Sequence, residues 1–243
     1  MSKLCMNVIK QNYLKNRALL SFLIITPALF ISNANASGMK LETSVVVVNT
    51  ADGEGVMTLK NTDPKPVLLY SSVENLPGDK EESLVVTPPV VRVNPGDNQT
   101  VRFMLKTPPK AVEQFKRAIF EGIPAADKTS DKLQITIRQN VPLIIHPSSL
   151  KDNPEPWTLL QFKQTGADTV NVTNTGAYVI RMNPGIEVMP QGVKGSLPRA
   201  YILPNESFTV KLSGAATGGQ KVKIIPANLY GYFVKPYEAS LNR

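Results

Sequence analysis

Leu133-Gln134-Ile135-Thr136-Ile137-Arg138-Gln139-Asn140-Val141-Pro142-Leu143-Ile144-Ile145-His146-Pro147 opens with strict alternation of apolar and polar residues and closes on an unbroken apolar run. Strand side chains alternate between faces, so Leu133, Ile135 and Ile137 share one face, and Val141 and Leu143 continue it. The stretch reads as one long β-strand. Its ordinary role is to turn that face into the core of its own sandwich. The sharper reading is an edge strand that offers its apolar row and its free N–H and C=O groups to another polypeptide, by β-augmentation. Alternation alone does not separate the two.

Upstream, short β-branched runs recur between Pro, Gly, Asn and Asp: Ser44 to Val48, Gly55 to Lys60, Val67 to Val73, Ser83 to Val86, Val90 to Val93, Thr100 to Leu105 and Lys116 to Gly122. Together with the long strand this is the pattern of an antiparallel sandwich of immunoglobulin type. Downstream, His146 to Pro156 holds three prolines, which forbid continuous pairing and mark a linker. Strand runs resume at Trp157 to Gln164, Thr169 to Thr173, Tyr178 to Met182, Phe208 to Leu212, Lys221 to Pro226 and Tyr230 to Val234. The expected fold class is all-β, with an immunoglobulin-like domain over 37–147, a linker over 148–156 and a second β-sandwich over 157–243.

The N-terminus carries Lys3, Lys10, Lys15 and Arg17, then an apolar run from Ala18 to Ile31, then Ala34-Asn35-Ala36. This reads as a secretory signal over 1–36, and the apolar run falls short of the roughly 20 residues that cross a bilayer. No membrane insertion is expected, and the compartment is a periplasm. Cleavage removes Cys5, the single cysteine, so the mature chain rests on burial without disulfides. The 207 residues left of 243 suit two domains. Of 27 basic residues four leave with the signal, so 23 face 19 acidic ones and the net charge is a mild +4. Scattered basic residues without an aromatic platform argue against nucleic acid. With one histidine, His146, neither a metal site nor a Ser-His-Asp triad has its parts. No enzyme, metal or cofactor is expected.

Several local patterns occur in an informative order. Thr87-Pro88-Pro89 is followed by Val101-Arg102-Phe103; Glu113 precedes Phe115 and then Ile123-Pro124; the long strand closes on Leu143-Ile144-Ile145-His146-Pro147. Asn174-Thr175-Gly176-Ala177-Tyr178, Leu203-Pro204-Asn205-Glu206-Ser207 and Asn228-Leu229-Tyr230-Gly231 follow. In this order the chain resembles the periplasmic pilus-assembly chaperones of the chaperone–usher pathway along nearly all its mature length. The resemblance implies two immunoglobulin-like domains set as a boomerang around a cleft, with pilus subunits and an outer-membrane usher as partners. It implies that Leu133, Ile135 and Ile137, with Val141, form a donor strand that completes an unfinished subunit. A self-dimer through the same strand is a further candidate partner. The loop from Ala125 to Lys132 resembles the short-loop class that serves rod-like pili.

Two departures stand out. Relatives hold the subunit's C-terminal carboxylate with an Arg on the first strand and a Lys late in the long strand; the matching positions here are Ser44 and Pro142. Candidate substitutes are Arg138, Lys40 and Arg102, and Pro142 is expected to interrupt or relax the strand's pairing. The interdomain ionic cluster of relatives keeps Glu113 but has His146 for Arg and Leu229 for Asp. A Glu113–His146 pair is the functional reading, and an exposed linker histidine the ordinary one. A pilus subunit or adhesin-like sandwich is the alternative function, against which stand the missing cysteine pair and the absence of a clear donor extension.

Overall fold

The computed structural model describes residues 38–108, 110–124 and 136–243. The expected signal, the 125–132 loop, Leu133 and Ile135 lie outside the described residues. The first sandwich contains β1 (Met39–Leu41), β2 (Val46–Asn49), β3 (Glu54–Asn61), β4 (Val67–Glu74), β5 (Leu84–Thr87), β6 (Val90–Val93), β7 (Asn98–Leu105), β8 (Gln114–Pro124) and β9 (Ile137–His146). The second contains β10 (Leu160–Gly166), β11 (Thr169–Asn174), β12 (Ile180–Met189), β13 (Val193–Ser196), β14 (Tyr201–Ile202), β15 (Ser207–Lys211), β16 (Lys221–Ala227) and β17 (Tyr237–Asn242). The molecule is all-β, as two immunoglobulin-like sandwiches.

Hydrogen bonding in the first sandwich runs β5-β7-β3-β2-β9-β8-β4-β6, with β1 on β3. The path folds back at β2, which touches β3 through the Asn49–Glu54 pair but runs parallel to β9 along all four residues. Gly55 follows that corner because any Cβ there would collide with the Val47 backbone. The two halves close on a core that includes Met57, Leu59, Leu69, Phe103, Phe120, Leu143 and Ile145. Phe103 and Phe120 meet edge to face across it, at 5.9 Å between centroids.

Lys116 occupies the end of the core face of β8 and is fully buried. Its ammonium donates to Asn75 Oδ1 at 2.7 Å, Asp79 Oδ2 at 2.8 Å and the Glu81 carbonyl at 2.8 Å, using all three protons. These bonds pin the loop after β4 to the sandwich. Burial pushes the Asp79 carboxyl up, but the hydrogen bonds from Lys116 and the Glu81 backbone together with the charges of Lys116 and Lys110 outweigh it and hold the group below its usual 3.8. A depressed carboxylate stabilises the folded state above its unfolded value, and that contribution is lost as pH falls below about 3.8 through the folded value. Lys116→Met is expected to cost about 1–3 kcal/mol at neutral pH, since partly exposed Asp79 regains water. Acid titration monitored by circular dichroism should show a shallower stability loss below pH 4 in that variant.

The second sandwich runs β13-β12-β16-β17-β10-β11-β15, with β14 on β12, around Phe162, Ile180, Met182, Val188, Ile202 and Ile224. Three strand expectations are corrected here. Pro156–Leu159 is a 3-10 turn that turns Trp157 inward, and pairing starts only at Leu160. The run from Tyr178 becomes β12, which passes Asn183-Pro184-Gly185 through a register shift between Met182 and Ile186, a place where proline is tolerated in a sheet. Tyr230 to Val234 is a turn: Asn228 Oδ1 accepts the N–H groups of Tyr230 and Tyr232, and Tyr232 and Phe233 are 70 % and 62 % exposed. The closing strand is β17, whose inward residues are Ala239 and Leu241.

Candidate functional site

β9 pairs with β8 from Ile137 to Ile145 but with β2 only from Leu143 to His146. Among the described residues, no strand pairs with its second margin from Ile137 to Pro142. The His146 carbonyl accepts the Thr50 N–H at 3.0 Å, on the β2 side. Backbone groups alternate along a strand, so Arg138, Asn140 and Pro142 also direct theirs to the β2 side, which is the open margin. The β8 ladder passes Pro142 without a register shift, with Arg117 opposite. The expected interruption at Pro142 thus falls on one margin only: pairing with β2 begins just past it, while the β8 ladder, which does not use the missing N–H, runs through.

Ile137 is 54 % exposed, yet it lies on the face of β9 that carries buried Leu143 and Ile145. Val141, between them, is partly buried against the first core. The apolar row thus runs out of the core and into solvent along a strand with one free edge.

Where β9 ends, the two sandwiches meet. The Glu113 N–H donates to the Ala177 carbonyl at 2.8 Å, and Glu113 Oε2 accepts the Val179 N–H at 2.7 Å. Glu113 Oε1 lies 2.8 Å from His146 Nδ1, whose Nε2 lies 3.1 Å from the Leu150 carbonyl. Both ring nitrogens face oxygen acceptors, so a doubly protonated ring satisfies both contacts and a neutral ring only one. The His146 side chain retains 14 % exposure, so it is no free linker histidine. Beside these bonds Val45, Phe115, Ile144 and Val179 form an apolar cluster joined by Leu76, Tyr201 and Leu203, with the Phe115 and Tyr201 rings 4.5 Å apart. Asn174 shapes the loop that delivers Val179, donating to the Tyr178 and Leu203 carbonyls and accepting the Gly176 N–H. A cavity of about 430 Å³ opens alongside, lined by residues of both sandwiches that include Glu113, His146, Arg181 and Tyr230.

The three substitute cations are placed differently from one another. Arg138 pairs with Glu74. Arg102 pairs with Glu54 on the β7–β3 half, separated from β9 by β3 and β2. Lys40 is exposed on β1 opposite Lys60. Ser44 donates its hydroxyl to the Tyr230 carbonyl. The sequence singled out neither Arg117 nor Arg181. Arg117 stands opposite Pro142 on β8 and reaches Asn140, donating to Oδ1 and, at 2.7 Å, to the main-chain carbonyl. Arg181 on β12 donates to the Leu229 carbonyl at 3.0 Å and lies against Gly231, where an added Cβ would strike the guanidinium. Burial pushes both guanidinium groups down, and the charge of Arg117 adds to the effect on Arg181. Nothing in the sequence marks them, because the partners of each lie far away in the chain.

Comparison with known proteins follows the same lines. Residues 38–151 match the family model of the pili and flagellar-assembly chaperone PapD N-terminal domain, and residues 155–237 that of the pili assembly chaperone PapD C-terminal domain. The chain belongs to the PapD-like pilus-assembly chaperones. The chaperone is 40 % identical over 222 residues to the uncharacterized fimbrial chaperone YhcA of Escherichia coli K12, covering 89 % of this chain and 98 % of that protein. It is 27 % identical over 211 residues to the chaperone FimB/FhaD of Bordetella pertussis, covering 81 % and 85 %. In fold it is similar to the E. coli chaperone DraB, with a TM-score of 0.67 at 24 % identity over 86 % of this chain and 99 % of that one. A chain of the Salmonella enterica complex between SafA pilin and the SafB chaperone gives 0.68 at 18 %, over 86 % and 98 %. Membership sets aside the alternative of a pilus subunit or adhesin.

Proposed function

We propose that this chaperone acts in the periplasm, capturing pilus subunits by donating β9 to their incomplete fold and passing them to an outer-membrane usher. The observation that carries this reading is the open β9 margin flanked by solvent-exposed Ile137. A subunit that lacks its last strand exposes a hydrophobic groove and unpaired backbone groups, a state prone to aggregation. The margin supplies backbone partners from Arg138 and Asn140, and Ile137 supplies apolar surface. Leu133 and Ile135 extend the same alternation in sequence and are assigned the same role. The Glu113 and His146 contacts hold the second sandwich beside that margin, so that a subunit meets both walls.

Periplasmic co-expression with a tagged pilus subunit tests the reading. A soluble one-to-one complex, with the subunit degraded when the chaperone is absent, is expected. A subunit that accumulates equally without the chaperone contradicts it. A second copy of the chain is the competing occupant of the margin, and the mass of the free protein by light scattering reports it.

A further inference from the structure

The rim of the first sandwich between β4 and β5 is closed by no strand among the described residues. β4 pairs with β6 only from Val67 to Tyr70, and the Ser71 N–H then ends that contact by donating to the Pro89 carbonyl at 2.8 Å. β5, at the other end of the hydrogen-bonding order, pairs with β7 alone. Between residues 71–73 of β4 and 83–86 at β5 lies a cavity of about 370 Å³, which Lys116 also lines. That size falls within the roughly 300–1,000 Å³ of small-molecule sites.

Two of the lining groups take no part in the hydrogen bonding of the fold. Ser71 and Ser83 are 1 % and 2 % exposed, and among the described residues neither hydroxyl has a hydrogen-bond partner. An unpaired buried hydroxyl is unfavourable, and buried polar groups of folded proteins are nearly always satisfied. Much of the remaining wall is apolar: Val73, Leu84 and Val86 pack against the first core, and Pro89 joins them in the lining.

The charged groups at the cavity are already engaged. Lys116 gives its three protons to Asn75, Asp79 and the Glu81 carbonyl, and Glu82 pairs with Lys106 at 3.3 Å. An anion therefore finds no free donor on Lys116, and a cation is repelled by the buried ammonium. A serine hydroxyl both donates and accepts, and so does each hydroxyl of an uncharged polyol. The carbon face of a sugar ring matches the apolar wall.

We propose that this cavity binds an uncharged polyhydroxy compound of monosaccharide size, held by the hydroxyls of Ser71 and Ser83 against Val73, Leu84 and Val86. The site does not involve β9 and is independent of strand donation. A bound sugar bridges β4 to β5 and so ties the two layers of the sandwich together at the rim. It stabilises the folded chain in step with its own concentration.

Nitrogen-15 NMR of the mature chaperone tests the site, by titration with D-glucose, D-galactose and myo-inositol, each to about 50 mM, beside glucuronate and glucosamine as charged counterparts. At least one neutral compound should shift the amides of Ser71, Val73, Ser83 and Val86 saturably, with a Kd of roughly 1–10 mM. Both charged compounds should bind at least about tenfold more weakly. Ser71→Ala and Ser83→Ala should each weaken binding about tenfold. Without ligand both variants should melt no lower than wild type, because the hydroxyl removed has no partner in the fold. Absence of a saturable shift with all three neutral compounds overturns the site, as does equal binding of the charged ones or undiminished binding by both variants. Lower melting of both unliganded variants would place the hydroxyls in the fold's own bonding and overturns it as well.

Discussion

Ile137→Asp should abolish subunit capture and leave the chaperone folded. At 54 % exposure the side chain contributes little to its own core, so the change should cost about 1 kcal/mol or less in thermal or urea unfolding. In the complex the same residue enters a subunit's groove. Capture then loses about 1.5–3 kcal/mol of apolar burial, and several kcal/mol more go to desolvating an unpaired carboxylate. Together these correspond to roughly a thousandfold or greater loss of affinity, which pull-down of a tagged subunit would register as no complex. Unfolding of the variant instead would assign Ile137 to the core of the chain itself.

Glu113→Ala should give the largest loss of stability. Glu113 is nearly buried and joins three groups: the His146 ring, the Val179 N–H and, through its own N–H, the Ala177 carbonyl. Truncation leaves the Val179 amide without a partner and the His146 ring without its carboxylate. The expected cost is about 3 kcal/mol, or a fall of roughly 6–12 °C in Tm for a chain of this size. Glu113→Gln keeps one acceptor oxygen and should lose about half as much. If the sandwiches separate before they unfold, calorimetry of the alanine variant will show two transitions where wild type shows one. Capture should also weaken, since the second sandwich would no longer be held by the Glu113 contacts to Ala177 and Val179.

Much of the fold was legible because period-two alternation is a local property. Gly55 to Lys60 and Val67 to Val73 sit inside observed strands, and the prolines after His146 separate the two sheets. The errors fall where local and tertiary preferences conflict. Trp157 looks like a strand residue but is turned inward by a 3-10 turn behind Pro156, and Pro184 looks like a break but lies in a bulge. Tyr230 to Phe233 has strand-forming composition but makes only an isolated bridge from Phe233 to Ala227, while the more polar Tyr237–Asn242 has two partner strands. For the site, Ile137 and Glu113 could be named from sequence. The open margin could not, because an edge is defined by which strands fail to pair, and that is settled only when β2 stops at Leu143. The same holds for Glu113 and Val179, which meet only when the two sandwiches dock.

Residue-resolved amide hydrogen exchange of Arg138 and Asn140, in the free chaperone and in its complex with a pilus subunit, tests strand donation most directly. Both amides face the open margin, so they should exchange quickly in the free protein, while Ile137, Gln139 and Val141, which face β8, are protected. On capture Arg138 and Asn140 should become strongly protected as a new strand bonds to them. Slow exchange of both in the free chain, or no change on capture, would contradict it.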